Sequence, residues 1–439
     1  MIKYTKSLLS KISLIFFLIF FLYDCSAEKD KSYNLWLKYN IPHKLSALEE
    51  YQELISYITL AGNSETIEIL REELKRGLYG LMRKELYIHD SVISDGALVI
   101  GTPASSAVID KSGFNIVLDT LGNEGYLIKA SEINGYKAIV LAANEDIGLL
   151  YGTFHLLRIM QTQKSLKNIN LASKPKIQYR LLNHWDNLNR TVERGYAGQS
   201  LWKWDELPDM IDPRYRDYAY ACASTGINGT VINNVNATPE ILKPEYIRKI
   251  SILADIFRPF GIKLYLSINF SSPLKSMPGG NRRQGGIGNL STSDPLDPEV
   301  RNWWKAKADE IYKYIPDFGG FLVKANSEGM PGPQDFGRTH AEGANMLAEA
   351  LESHNGIVMW RAFVYEPDVD PDRAKRSYME FVPLDGKFHP NVFVQAKNGP
   401  VDFQPREPVQ PLFGSMPATP LMMELQITQE YLGHSKHLV

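Results

Sequence analysis

The sequence predicts an α/β protein in which a small N-terminal α/β domain is followed by a (β/α)8 barrel that is incomplete at its C-terminal end. Three observations lead to this prediction. The chain has 439 residues, more than one hydrophobic core usually organises, so two domains are expected. After residue 178, seven short apolar runs alternate with helical stretches, and such alternation indicates parallel strands. A closed barrel needs an eighth strand.

The N-terminal domain is predicted to span residues 33–163. Residues 54–82 have a mostly helical pattern with a break at Gly62 and Asn63. Apolar runs that predict buried strands are followed by a segment whose apolar residues recur at helical spacing. The strands are expected at residues 97–101, 124–129 and 137–142, the helix at 147–158, and a polar linker at 164–177.

The second domain is predicted to be a catalytic barrel that occupies residues 178–439 and is truncated there. Polar and ionisable residues cluster where each predicted strand ends, and in a (β/α)8 barrel these ends form the rim that holds the active site. A seventh strand without a neighbour would leave an open sheet edge. The seven runs are residues 180–185, 229–234, 263–269, 320–324, 357–361, 392–397 and 421–428.

Residues 1–27 are predicted to be a signal peptide. Lys3, Lys6 and Lys11 precede an apolar run at residues 12–22, which is short for a transmembrane helix and typical of a secretory signal. We therefore expect export, to a periplasmic or extracellular location. Either residues 25–27 form an ordinary cleavage site, or Cys25 is acylated and anchors the chain to a membrane.

Cysteine use argues against a structural disulfide. On both interpretations of the signal, Cys222 is the one cysteine left unmodified in the mature chain. It lies in a small and aromatic helical stretch, where we expect a buried apolar thiol.

Composition and charge exclude several classes of function. A net charge of −2 does not suit a nucleic-acid-binding protein, which needs a basic surface. The nine histidines show no spacing typical of metal ligands, and no cofactor is expected. The glycine-rich residues 279–288 lack the Lys-Ser/Thr of a phosphate loop. We interpret them as a rim loop that brings Arg282 and Arg283 within reach of a substrate.

Three carboxylates follow predicted strands: Glu328, Asp402 and Glu430. Inverting glycoside hydrolysis needs one protonated carboxyl as acid and one carboxylate that activates water. Any single rim carboxylate is more often a helix cap, a surface charge or an ion-pair partner. Three of them at strand ends favour a glycosidase.

Three cations, Lys324, Arg361 and Lys397, also fall at predicted strand ends. Positive charge beside catalytic carboxyls suits a substrate that carries its own carboxylate. The alternative is that these cations pair with Glu328, Asp402 and Asp186.

Three long strings, residues 183–202, 324–333 and 394–408, resemble glycoside hydrolase family 67, the α-glucuronidases. The resemblance runs from Tyr33 to the last residue. It implies an inverting enzyme that removes (4-O-methyl)-glucuronic acid from glucuronoxylan-derived xylo-oligosaccharides during xylan degradation.

The resemblance also implies roles for individual residues. Glu328 matches the general acid, and Asp402 and Glu430 match the carboxylates that position or deprotonate the attacking water. Lys324, Arg361 and Lys397 match residues that contact the sugar acid. We expect burial to raise the pKa of Glu328. Trp185 and Trp202 are candidates for an aromatic wall, with core packing as the alternative for each, and His184 and Asp186 are interpreted as supporting residues.

Family chains continue through the end of the barrel into a helical C-terminal region that takes part in dimerisation and shapes the substrate pocket. The resemblance thus implies a homodimer for the full-length form and leaves the oligomeric state of this chain open. Two other hypotheses remain: an inactive fragment that retains at most acidic-sugar binding, and a glycosidase that acts on another sugar, including another acidic sugar.

Overall fold

A computed structural model describes residues 33–195, 197–276, 285–363, 370–400 and 407–427, and the observations below refer to these ranges. The predicted signal peptide with Cys25 lies outside them, as do Arg282, Arg283, Asp402 and Glu430. Every helix within the described ranges is too short or too polar to cross a membrane.

The first part of the chain forms a mixed five-stranded sheet in the order β1-β2-β4-β3-β5. Strands β1, β2 and β4 are parallel, whereas β3 is antiparallel to β4 and β5. Its elements are α1 Leu45–Leu54, β1 Tyr57–Leu60, α2 Glu65–Met82, β2 Ala97–Gly101, α3 Ala107–Asp110, α4 Asn115–Leu118, β3 Tyr126–Ile133, β4 Tyr136–Ala143, α5 Asp146–Gln161 and β5 Asn170–Ser173.

Local sequence accounts for several of these elements. The β3–β4 hairpin turns at Asn134 and Gly135, both with positive φ, which is the residue pair that a tight type I′ turn favours. Helix α2 begins where the Ser64 hydroxyl accepts a hydrogen bond of 3.2 Å from the Ile67 N–H, as expected for an N-cap.

Two predictions for this part are wrong. Residues 57–60 form β1 instead of helix, because they pair with residues 97–100 of β2. Residues 170–173 were predicted to belong to a linker, yet they form the edge strand β5 against β3. In both segments, pairing with a distant strand decides a conformation that the local pattern leaves open.

The second part forms an all-parallel sheet in which seven strands follow chain order, from β6 to β12. Each of the seven predicted runs contains one of them, so this prediction is confirmed. The elements are β6 Leu181–Asn183, α6 Arg214–Ser224, β7 Gly229–Val231, α7 Pro244–Phe257, β8 Lys263–Ile268, α8 Pro298–Tyr314, β9 Gly320–Val323, α9 His340–Glu352, β10 Ile357–Arg361, α10 Arg373–Phe381, β11 Val392–Lys397 and β12 Leu421–Glu424, with 3-10 helices at Pro239–Leu242, Arg258–Phe260, Pro333–Phe336 and Val382–Leu384.

This sheet curls so that its first and last strands approach each other. The side-chain amide of Asn183 in β6 donates a hydrogen bond of 3.1 Å to Glu424 in β12. Because successive side chains of a strand point to opposite faces, one face packs against helices and the other lines the inside of the curl. The inner apolar cluster includes Val231, Tyr265, Leu322 and Met359.

The two sheets share one core. The largest buried cluster contains residues of both, and polar contacts cross between them. Arg180 forms an ion pair of 2.8 Å with Glu124, and the Arg158 guanidinium donates to the Ser224 carbonyl at 2.6 Å. Cys222 lies in α6 with 4% of its surface exposed, which confirms the predicted buried thiol, and burial raises its pKa to about 11.

Candidate active site

The carboxyl edge of the second sheet carries a row of charged side chains. Lys324 directly follows β9, Arg361 and Lys397 end β10 and β11, and Glu424 ends β12. Each stands two or four positions after an inner-face apolar residue (Leu322, Met359, Phe393, Met422), so the strand repeat directs all four to the inside of the curl. The four strands are neighbours, and the row is therefore contiguous.

A pocket of about 400 Å³ opens at this edge. Five of its lining residues are cations and two are carboxylates, so its electrostatic character is positive. The cations are Arg194, Lys324, Arg361, Arg373 and Lys397; the carboxylates are Glu193 and Glu328; the remaining lining residues are Trp185, Val235, Asn236 and Phe363.

A tight loop holds Glu328 at the pocket. Glu328 has a φ of 51°, a left-handed conformation that costs a residue with a side chain roughly 1–2 kcal/mol. The loop compensates with internal bonds: the Asn326 amide oxygen accepts from the Gln334 N–H at 3.1 Å, and Asp335 accepts from the Gly332 N–H at 3.0 Å. The position of the Glu328 carboxyl is thereby set by the backbone around it.

Glu328 lies among cations. Its carboxylate is paired with the Lys324 ammonium and lies 3.4 Å from the Arg194 guanidinium. Burial raises the pKa of Glu328, but the charge and hydrogen bond of Lys324 and the charges of Arg194 and Lys397 outweigh it, so that the pKa is lower than usual. The expectation of a raised pKa for Glu328 is therefore wrong: burial acts in the expected direction, but the positive charge of the pocket outweighs it.

Lys324 is 2% exposed and is held from two sides. Besides Glu328, its ammonium donates to the Asn236 amide oxygen at 2.8 Å. Asn236 follows β7 in the chain, so this hydrogen bond connects the loops after two separate strands. The ion pair between Lys324 and Glu328, which the sequence analysis gives as the alternative to substrate binding, is thus present, together with the hydrogen bond to Asn236.

Arg361, also 2% exposed, pairs with Glu424, a carboxylate that was not singled out in the sequence. Two guanidinium nitrogens lie 2.6 Å and 3.1 Å from the same Glu424 oxygen. The guanidinium carbon lies 5.7 Å from the centre of the Trp185 ring and 5.5 Å from that of Phe363. The Lys397 ammonium is 3.5 Å from the centre of the Phe363 ring. Phe363 thus faces both cations, an arrangement that stabilises positive charge.

The structure separates the two predicted tryptophans. Trp185 lines the pocket, and its role as a wall for a sugar stays a prediction. Trp202 is 0% exposed and packs against Tyr218, Tyr215 and Phe257. A sugar cannot reach the Trp202 ring in this position, so the substrate-binding assignment of Trp202 gives way to the core-packing alternative.

His184 and Asp186 lie beside the pocket. His184 touches the Trp202 ring and hydrogen-bonds through Nε2 to the Tyr218 hydroxyl at 2.9 Å. Asp186 contributes to a second cavity of about 410 Å³ that borders the first and shares Glu193, Arg194 and Asn236 with it. Burial lowers the pKa of His184 and raises that of Asp186; the supporting role of the two residues stays a prediction.

Several residues of the site were not predicted from the sequence: Glu193, Arg194, Asn236, Phe363 and Arg373, which line the pocket, and Glu424, which pairs with Arg361. Glu424 carried a usable signal, because it occupies the same end position in its strand as Lys397 does in the neighbouring one. Arg194 and Asn236 carried none, since their contacts depend on how the loops after β6 and β7 fold. Within the described residues, no group of histidine, cysteine or acidic side chains is arranged to hold a metal ion.

A curled parallel sheet that gathers a loop-held carboxylate and several cations at its carboxyl edge is typical of an α/β enzyme site. Comparison with protein families agrees with this class. Residues 35–156 match the glycosyl hydrolase family 67 N-terminus and residues 159–439 match the glycosyl hydrolase family 67 middle domain. The chain belongs to glycosyl hydrolase family 67, which confirms the predicted family.

Relatives with assigned names extend the comparison. A probable alpha-glucuronidase A of Aspergillus fumigatus is 39% identical over 382 residues, which cover 86% of this chain and 43% of the relative. Alpha-glucuronidase A of Emericella nidulans is 38% identical over 438 residues, covering 97% of this chain and 50% of the relative. The chain thus spans about half the length of these relatives.

Among solved structures, a GH138 enzyme targeting pectin rhamnogalacturonan II matches with a TM-score of 0.46 and 13% identity, over 79% of this chain and 38% of the other.

Proposed function

We propose that this chain carries the uronate-binding and proton-donating site of an inverting α-glucuronidase. Its substrates are glucuronoxylan-derived xylo-oligosaccharides, from which it removes (4-O-methyl)-glucuronic acid. The observation that carries the proposal is the pocket in which Glu328 lies among five cations. Three of these cations, Lys324, Arg361 and Lys397, are buried; a neutral sugar gains little from their charge, whereas a uronic acid offers it a carboxylate.

The pocket residues divide the work of the reaction. Lys324, Arg361 and Lys397 bind the sugar carboxylate, and Arg361 is oriented for this by Glu424. Trp185 lies against the pyranose ring. These contacts orient the substrate so that the glycosidic oxygen meets Glu328.

Bond cleavage follows as a single displacement. Glu328 donates its proton to the glycosidic oxygen, and the electrons of the breaking carbon–oxygen bond pass to that oxygen. A water molecule attacks the sugar carbon from the opposite face and loses its proton to Asp402 or Glu430, so the product is the β-anomer. An inverting pair of carboxyls stands roughly 6.5–9.5 Å apart to leave room for this water.

The finer architecture and the location are part of the proposal. The curled sheet belongs to a (β/α)8 barrel, and the hydrogen bond between Asn183 and Glu424 across its first and last strands supports this geometry. Residues 1–27 direct export, with acylation of Cys25 as the alternative to ordinary cleavage. Metabolic labelling with a radioactive fatty acid distinguishes the two.

The test is to incubate the chain with aldouronic acids and follow the products by NMR. We expect β-glucuronic acid to appear first and then to mutarotate. Initial appearance of the α-anomer overturns the inverting mechanism. Binding of glucuronic acid without turnover would identify a chain that only binds acidic sugars.

The cation cluster is tested by Lys397→Met, which keeps most of the aliphatic stem and removes the charge. A hydrogen bond to a charged group contributes about 1.5–3 kcal/mol, so we expect glucuronate to bind roughly 10- to 100-fold more weakly, with little change for glucose. Calorimetric titration measures both. The control is Lys263→Met, an exposed lysine at the opposite end of the sheet, which should change neither. Equal losses for the two sugars would contradict recognition of the uronate by charge.

A further inference from the structure

Glu328 poses a problem for the reaction that it is assigned. A general acid must carry a proton when the substrate reaches it. The contacts of Glu328 favour the opposite state, because Lys324 pairs with one carboxylate oxygen and Arg194 lies 3.4 Å from the other. Whatever loads the proton must therefore weaken these interactions.

The charges that face Glu328 come from six positions in the described chain. Lys324 follows β9, Arg361 ends β10, Lys397 ends β11, and Arg373 begins α10. Glu193 and Arg194 lie on the loop after β6 and contact each other at 3.3 Å. Positive groups thus outnumber the two carboxylates by five to two.

A uronate bound to these cations would change this balance in two ways. Its carboxylate adds a negative charge to a small and partly buried pocket, where charges interact more strongly than in water. It also competes with Glu328 for the ammonium of Lys324, whose buried position leaves it little room to serve both. Each effect makes an anionic Glu328 less favourable.

We propose that the carboxylate of the substrate loads the general acid: a uronate takes over Lys324, and Glu328, released from its ion pair, takes up one proton from solvent. The inference rests on the proposed function and deepens it. The proton balance closes over one cycle. The proton gained on binding passes to the glycosidic oxygen as the bond breaks, the base releases to solvent the proton that it took from water, and Glu328 returns to its pairing with Lys324 when the sugar acid leaves.

This coupling adds a second layer of specificity. A neutral glucoside of the same shape leaves the Lys324–Glu328 pair intact, so it reaches an acid without a proton. Discrimination against neutral sugars then shows in kcat as well as in binding, because only the anionic substrate prepares the catalytic group.

The direction of the pH dependence follows from linkage. The pKa of Glu328 is depressed by its cation partners and rises when a uronate occupies them. Glucuronate affinity is therefore constant below the lower pKa, falls as pH rises towards the higher pKa, and levels off above it. A pKa rise of one unit corresponds to a tenfold difference between the two plateaus.

The experiment is a calorimetric titration of this chain with sodium glucuronate, in pairs of buffers with different ionisation enthalpies, at several pH values between about 4.5 and 8. We expect the measured enthalpy to depend on the buffer, with net uptake of protons. Enthalpies independent of the buffer at every pH, with glucuronate bound, overturn the inference and leave the proposed function standing. If glucuronate does not bind, both are overturned.

Two variants identify the group that takes up the proton. Glu328→Gln should bind glucuronate with no proton uptake, and roughly tenfold more tightly than the parent chain at the upper end of the pH range if the pKa rises by one unit, because it no longer competes for Lys324. Glu193→Gln is the matched control: it removes the other carboxylate of the pocket and should retain proton uptake. Uptake that persists in Glu328→Gln and disappears in Glu193→Gln would overturn the assignment. If either variant fails to fold, the buffer dependence of the parent chain still tests the inference.

Discussion

The three buried cations at the strand ends, Lys324, Arg361 and Lys397, have different contacts. A buried charge is costly unless it is paired or hydrogen-bonded. Lys324 has Glu328 and Asn236, Arg361 has Glu424, and Lys397 lies against the face of Phe363. Carboxylates pair with Lys324 and Arg361, and the Phe363 ring lies against Lys397, so these contacts stabilise positive charge at one edge of the sheet.

Substitution of the two tryptophans tests the assignment of Trp202 to the core and of Trp185 to the pocket. Trp202→Ala removes a fully buried ring, and we expect a loss of about 3–5 kcal/mol in the free energy of unfolding. Trp185→Ala should change the free energy of unfolding much less and should weaken glucuronate binding. Urea unfolding followed by circular dichroism measures the first effect and calorimetric titration the second. Weaker binding by a stable, folded Trp202→Ala chain would speak for a direct contact with the sugar.

The loop that carries Glu328 is connected to the elements that follow it. The 3-10 helix Pro333–Phe336 supplies Asp335 and the Gln334 N–H, which hold Gly332 and Asn326. Behind it, His340 of α9 accepts from the Trp360 indole at 3.1 Å and hydrogen-bonds to Glu380 of α10 at 2.9 Å. Because Nδ1 accepts, Nε2 is the nitrogen that carries the hydrogen towards Glu380. Hydrogen bonds thus hold the elements that follow the Glu328 loop in a fixed orientation.

Gly332→Ala tests the loop. A Cβ at this position would lie 2.0 Å from the Asn326 amide oxygen, so the loop must shift and take Glu328 with it. A displacement of about 1 Å can lower the rate 100-fold, so we expect kcat on aldouronic acids to fall by about that factor with a small change in glucuronate affinity.

The control for this variant is Gly337→Ala, where a Cβ meets nothing within 4 Å and the cost is the positive φ of 67° alone. Steady-state kinetics of both variants decide the matter. An unchanged kcat in Gly332→Ala would mean that the hydrogen bonds around Asn326 do not position the acid.

Glu424 connects the ends of the curled sheet. One of its oxygens accepts from Arg361 in β10 and the other from Asn183 in β6. A buried ion pair that loses one partner leaves an uncompensated charge. Without Glu424 this charge would lie on Arg361, which also lines the pocket. The hydrogen bond between the first and last strands and the orientation of Arg361 therefore depend on the same carboxylate.

Glu424→Ala should lower the free energy of unfolding by about 3–5 kcal/mol, because Arg361 stays buried without its partner. Urea unfolding measures this loss, and Glu424→Gln should recover part of it. The comparison is Glu349→Ala, which breaks a pair with Arg301 in which both side chains are at least 36% exposed; exposed pairs contribute about 0–1 kcal/mol. Similar losses for Glu424→Ala and Glu349→Ala would show that the buried pair has no special role in closing the sheet.

Much of the architecture could be predicted from the chain alone. Each strand of the second sheet is an apolar run with helical stretches around it, and parallel pairing follows from that alternation. The charges at the ends of the runs are part of the sequence too, and parallel strands bring their carboxyl ends to one edge, so the sequence predicts that Lys324, Arg361, Lys397 and Glu328 lie together. These features are local in sequence or follow from one topological rule.

Tertiary structure decided the remainder. Residues 57–60 and 170–173 form strands because they pair with strands that are distant in the sequence. Trp202 lies in the core because Tyr218 and Phe257 pack against its ring. Arg361 pairs with Glu424 because the sheet curls. The low pKa of Glu328 depends on cations from separate loops. Such properties are sums over neighbours far apart in the chain, and electrostatic energies depend on distance and burial, which a one-dimensional pattern does not contain.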